Sequence, residues 1–117
     1  MLNLDNTEMI ECYEYYDIPL LYLSVDNTTG IKYIVFWYDY ENDGEIFLYT
    51  PISDKDIDAL RNKKLSLRKA LIGSGSGYYL VDRERVIQLD VVDESFLPAN
   101  EYFVEYITPS GGYNMPL

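Results

Sequence analysis

Residues 44–72 constrain the fold most, because they join a strand to a helix with almost nothing between them. Glu45-Ile46-Phe47-Leu48-Tyr49-Thr50 has the aromatic and branched composition of a strand, and Pro51, which cannot donate to a ladder, stops it. Ser53 has the chemistry of a helix N-cap, with Asp56 three residues on as a short version of the capping-box acid. Ile52 and Ile57 stand at the spacing of a hydrophobic staple. Asp54, Asp56 and Asp58 sit near the positive end of this helix, and Arg61, Lys63 and Lys64 near its negative end. A second short helix is predicted over 65–71. The remainder of the chain reads as sheet packed around this unit.

Strand signals flank it on both sides. Residues 9–16 alternate loosely and predict a first strand at a sheet edge. Asp17-Ile18-Pro19 predicts a bend or bulge, and 20–25 a second strand. Asp26-Asn27-Thr28-Thr29-Gly30 has the composition of a hairpin loop. Residues 31–40 are apolar or aromatic at nearly every position, the signature of a central strand covered on both faces. Short turns between these strands predict an antiparallel meander. After the helices, Gly73-Ser74-Gly75-Ser76-Gly77 reads as a flexible connector. A hairpin over 78–81 and 86–92 follows, with its tip at Asp82-Arg83-Glu84-Arg85, and then a last strand over 102–107. The fold class expected is α+β: a twisted antiparallel sheet, meander plus C-terminal hairpin, with one inserted helical segment in a domain spanning 1–108 and a loose tail over 109–117.

Composition narrows the chemistry. A chain of 117 residues with no histidine has no Ser-His or Cys-His couple and no imidazole metal site. The lone Cys12 has no internal partner and reads as a small apolar filler of a reducing compartment. No apolar run approaches the length of a membrane span, and the first residues lack a signal-peptide pattern, so the expected location is the cytoplasm. Thirteen tyrosines exceed what strands need to bury, which points to a contact surface. Charge is uneven: residues 1–54 hold eleven acids and one base, 55–85 hold eight bases and four acids, and 86–117 hold five acids and no base. The total is -11. Charge of this sign draws a basic partner and repels nucleic acid and anionic membrane.

Motifs that could carry chemistry each have a simpler explanation. Asp39, Glu41 and Asp43, with Gly44, match the first half of a calcium loop, but position twelve is Thr50 and the flanks read as strands. A hairpin turn explains the same residues. The glycine-serine run follows a helix and precedes a strand, the reverse of a phosphate loop. Arg61, Lys63, Lys64, Arg68 and Lys69 could meet phosphates, yet the pI is ≈ 4.2, and basic residues at helix C-termini need no ligand. Carboxylates are so abundant that no pair of them is informative. The sequence calls for no cofactor, no metal and no catalytic residue.

Tyr15-Tyr16-Asp17-Ile18-Pro19-Leu20-Leu21, Thr50-Pro51-Ile52-Ser53 and Leu65-Ser66-Leu67-Arg68-Lys69-Ala70-Leu71 together resemble a family of small bacterial and phage domains, over residues 10–82. That resemblance implies a bacterial or phage setting and no particular activity. The reading is therefore a small acidic, non-enzymatic protein-interaction domain, of the immunity type or a defence-modulating inhibitor, with a basic protein as partner. Its candidate contacts are Tyr13, Tyr15 and Tyr16 on the first strand and Asp39, Tyr40, Glu41 and Asp43 at the third turn. A DNA-mimic inhibitor of a nucleic-acid enzyme and a small-ligand-binding domain are the alternatives.

Overall fold

The computed structural model describes residues 2–41 and 44–104. Six strands form one antiparallel sheet in sequence order: β1 (Thr7–Tyr16), β2 (Ile18–Asp26), β3 (Lys32–Glu41), β4 (Gly44–Pro51), β5 (Tyr78–Asp82) and β6 (Arg85–Leu89). Two helices, α1 (Asp54–Arg61) and α2 (Leu67–Ile72), are inserted between β4 and β5. The α+β meander with its C-terminal hairpin is thus observed, and β1 is an edge strand.

Alternation assigns the side chains to two faces. On the first face Leu21, Leu23, Ile34 and Leu48 are buried beneath Ile57, Leu60, Leu67, Ala70 and Leu71 of the helices. Val92, Leu97 and Val104 of the C-terminal segment extend that cover. On the second face Tyr33, Val35, Tyr49, Tyr79 and Val81 form a separate buried cluster, closed by Leu2 with Leu4 packed beside it. β3 therefore buries Tyr33 and Val35 on one side and Ile34 on the other, as its unbroken apolar run predicts.

Local chemistry explains the joints. The Ser53 hydroxyl accepts the Asp56 N–H at 3.1 Å, and Ile52 and Ile57 share the first-face core, so cap and staple both form. Ser53→Ala should lower stability by about 1 kcal/mol, read as a shift in the urea midpoint at constant slope. An unchanged midpoint would mean the cap carries no weight. Ser66 caps α2, accepting the Lys69 N–H at 3.3 Å, which starts that helix two residues later than expected. Thr50 Oγ1 donates to the Leu71 carbonyl at 2.6 Å and ties the end of β4 to the end of α2.

Three expectations need correction. The glycine-serine run, expected as a flexible connector, is a turn packed at its two ends, with Ser74, Gly75 and Ser76 exposed between them. Gly73 has φ 56° and Gly77 φ 81°; a Cβ on them would come within 3.0 Å of Thr50 Cγ2 and 3.1 Å of Pro51 Cγ. The Tyr78 hydroxyl closes the turn by donating to the Ile72 carbonyl. β6 stops at Leu89, short of 92, because the chain bends at Asp90 and carries Val92 inward to the first-face core. Of the predicted last strand, 102–104 are irregular, held by a bond from the Leu67 N–H to the Tyr102 carbonyl, and 105–107 lie outside the described residues, as does the tail over 109–117.

Candidate interaction surface

The meander brings three hairpin tips to one end of the sheet. They are the β1–β2 turn at Asp17, the β3–β4 turn after Glu41 and the β5–β6 turn at Arg83 and Glu84. Asp17 has φ 63° and Arg83 φ 57°, left-handed conformations that let the chain reverse in very few residues. Tyr16 is 77% exposed and Tyr40 51% exposed, so two large rings stand in solvent at the same end. Asp17 and Glu41 are exposed beside them, and Tyr15 is half-buried. Asp39 is half-buried, with its carboxylate accepting the Tyr40 N–H at 2.7 Å, so it shapes the strand end.

Tyr13 does not belong to this surface. It is buried among the first-face core residues, and its hydroxyl donates to Glu11 Oε2 at 2.8 Å. The cause is irregular register in β1, which shifts between Met9 and Glu11, between Cys12 and Glu14 and between Glu14 and Tyr15 and so breaks simple alternation. Cys12 and Met9 thereby share the second face with Tyr22 and Ser24, while Glu11 and Glu14 stand opposite Leu23 and Leu21 on the first. Asp43 lies outside the described residues. The calcium-like stretch is flanked by strands β3 and β4, as its hairpin reading expects.

Two arginines of the basic segment hold elements of the fold together. Arg61 of α1 pairs with the buried carboxylate of Glu11 in β1, its Nε 3.4 Å from Oε2. Arg68 of α2 donates to the Pro98 carbonyl at 3.0 Å and to Glu94 at 3.1 Å, fastening the C-terminal segment. Lys32 and Asp54 pair at 2.6 Å. These charges are therefore matched within the fold.

Sequence reasoning did not anticipate two features near the tips. Arg83 reaches the start of β4, its guanidinium taking the room that a Cβ on Gly44 would need, and Arg85 lies 4.0 Å from Asp82. The tip end is therefore mixed in charge at its β5–β6 side. Beneath the tips alternation puts Trp37 on the second face and Tyr38 on the first, and an extra residue in β3 between Trp37 and Asp39 then shifts the register of the strand end. Tyr38 stacks on Phe96 at 4.8 Å, and the Trp37 N–H donates to Glu45. The alternation Tyr33, Val35, Trp37 against Ile34, Phe36 carried this signal in the sequence.

Burial favours the neutral forms of several tyrosines and of the cysteine. Burial pushes the Tyr22 hydroxyl far above its ordinary range, and the neighbouring Tyr49 adds to the shift. Burial likewise raises Tyr49 and Tyr33. The Cys12 thiol is raised by burial, the opposite of an activated nucleophile.

An open six-stranded antiparallel meander with a helical pair between its fourth and fifth strands defines the class, an α+β domain. The chain belongs to a family of unknown function (DUF6575), whose model matches residues 3–83, from the segment before β1 to the β5–β6 tip. No curated protein and no solved structure matches the chain. Among the described residues no helix is long and apolar enough to cross a membrane.

Proposed function

We propose that the chain is a non-enzymatic protein-interaction domain that engages a basic partner at the hairpin-tip end of its sheet, as an immunity-type or defence-modulating inhibitor would. The observation that carries this reading is the exposure of Tyr16 and Tyr40, at 77% and 51%, with exposed Asp17 and Glu41 at the same end. Exposed rings on tight turns give contact area at low entropy cost, and turn carboxylates steer a cationic surface toward them. A protein partner ranks above DNA mimicry because Arg83 and Arg85 interrupt the acids at this end. Mimicry needs an unbroken array of negative charge.

The test is a comparison of tagged wild-type chain with the Tyr16→Ser/Tyr40→Ser double variant as bait in cells of the native host. A partner retained by wild type should be lost or reduced about thirtyfold on the variant, the effect of removing contact tyrosines worth about 2 kcal/mol. Circular dichroism and melting should match wild type, since both rings are exposed. Equal recovery of the same partner on both baits would exclude the tips as its binding site.

A further inference from the structure

Residues 2–6, which precede β1, cross the second face of the sheet instead of joining it. Leu2 is 4% exposed and sits in a cup walled by Tyr33, Tyr49, Tyr79, Val35 and Val81. The tyrosine rings meet edge to face, with centroids 5.9 Å apart for Tyr33–Tyr49 and 6.2 Å for Tyr33–Tyr79. This arrangement leaves an apolar well with aromatic walls, and an aliphatic side chain fills it.

Half-buried Leu4 packs against the same cluster, and a few hydrogen bonds add to the hold. Asn3 donates its N–H to the buried carboxylate of Asp26 at 3.2 Å, and Asn6 Nδ2 donates to Thr28 Oγ1 at 2.6 Å. The Asn27 N–H donates to the Asn6 carbonyl at 2.9 Å. Asn3, Asp5 and Asn6 are exposed, and an open groove of about 760 Å³ runs along the segment, lined by Leu2, Leu4, Glu84 and Val86 among others. Buried Leu2, half-buried Leu4 and three hydrogen bonds, one of them to the buried Asp26 carboxylate, are set against the ordering of five residues, so the net hold is small. The sheet beneath has a second core on its other face, where both helices pack.

We infer that residues 2–6 form a strap that closes the aromatic cup and opens while the sheet stays folded, so that Tyr33 and Tyr79 are presented only in the strap-open state. Docking and release of the strap leave every strand pair intact, because the segment contributes no strand to the sheet. Local opening of this kind belongs to segments with few buried contacts.

Hydrogen exchange on the full chain, read residue by residue by NMR, tests the inference. The amides of Asn3, Asn6 and Asn27 should show protection about a hundredfold or more below those of Val35 and Leu48, and should be insensitive to low denaturant. Leu2→Ala should abolish the strap protection while β3 and β4 remain protected. It should also raise nitration of Tyr33 and Tyr79 by about tenfold or more, since the open population grows by the cost of emptying the cup. Two results would overturn the inference. One is strap amides that match Val35 and Leu48 in protection and in denaturant response. The other is a Leu2→Ala chain that loses the whole sheet.

Discussion

Replacing Arg61 by alanine should destabilise the fold by about 3 kcal/mol or more, the largest single effect expected from a charged residue here. Glu11 is 4% exposed beneath α1, and its two carboxylate oxygens take Arg61 and the Tyr13 hydroxyl. Without the guanidinium a buried carboxylate keeps one neutral donor and loses its countercharge. At this chain length the melting temperature should fall by about 10 °C or more. The Glu11→Leu/Arg61→Met double variant separates cost from contribution. Replacing a whole buried pair by apolar groups of similar size is often neutral, so it should recover most of the lost stability. A single Arg61→Ala variant that melts with wild type would show that α1 is not anchored through this pair.

Leu48→Ala should cost about 2–5 kcal/mol, the range for emptying a fully buried leucine site. Leu48 is 0% exposed in β4, opposite Phe36 on one side and Leu80 on the other, under the helical layer. Strands fix it on both flanks, so neighbours have little freedom to collapse into the space, and the cost should fall in the upper half of that range. Urea unfolding at constant slope measures it. A loss below about 1 kcal/mol would contradict the first-face core as described.

The meander was legible because its signals are local. Asp26–Gly30 carries its own turn chemistry: Asp26 Oδ1 accepts the Thr28 N–H at 2.8 Å, and Gly30 supplies φ 77°. Ser53 announces α1 by the same kind of short-range bond. Tyr13 was misplaced for an equally physical reason. A bulge inserts one residue on one strand, so the parity of β1 depends on its partner and cannot be read from β1 alone. Arg83 over Gly44, Arg61 on Glu11 and Leu2 in its cup join residues far apart in sequence, and composition gives no register for such contacts. Of the candidate surface, Tyr16, Tyr40 and Glu41 stand exposed where the turn signals put them, and Tyr15 is half-buried beside them. The arginines of the third tip were visible as charges but not as neighbours.

Binding of a basic protein at the tips carries a kinetic signature. With a partner identified, association should be followed by stopped flow for wild type and for the Asp17→Asn/Glu41→Gln variant, from low salt to physiological salt. Added salt should slow wild-type association by about tenfold or more with little change in the off-rate, and the variant should start slower and respond less. The folded state should be unaffected, because exposed turn acids contribute little to stability. Salt-independent association, or a variant that binds as wild type does at low salt, would contradict binding of a basic protein at the tips.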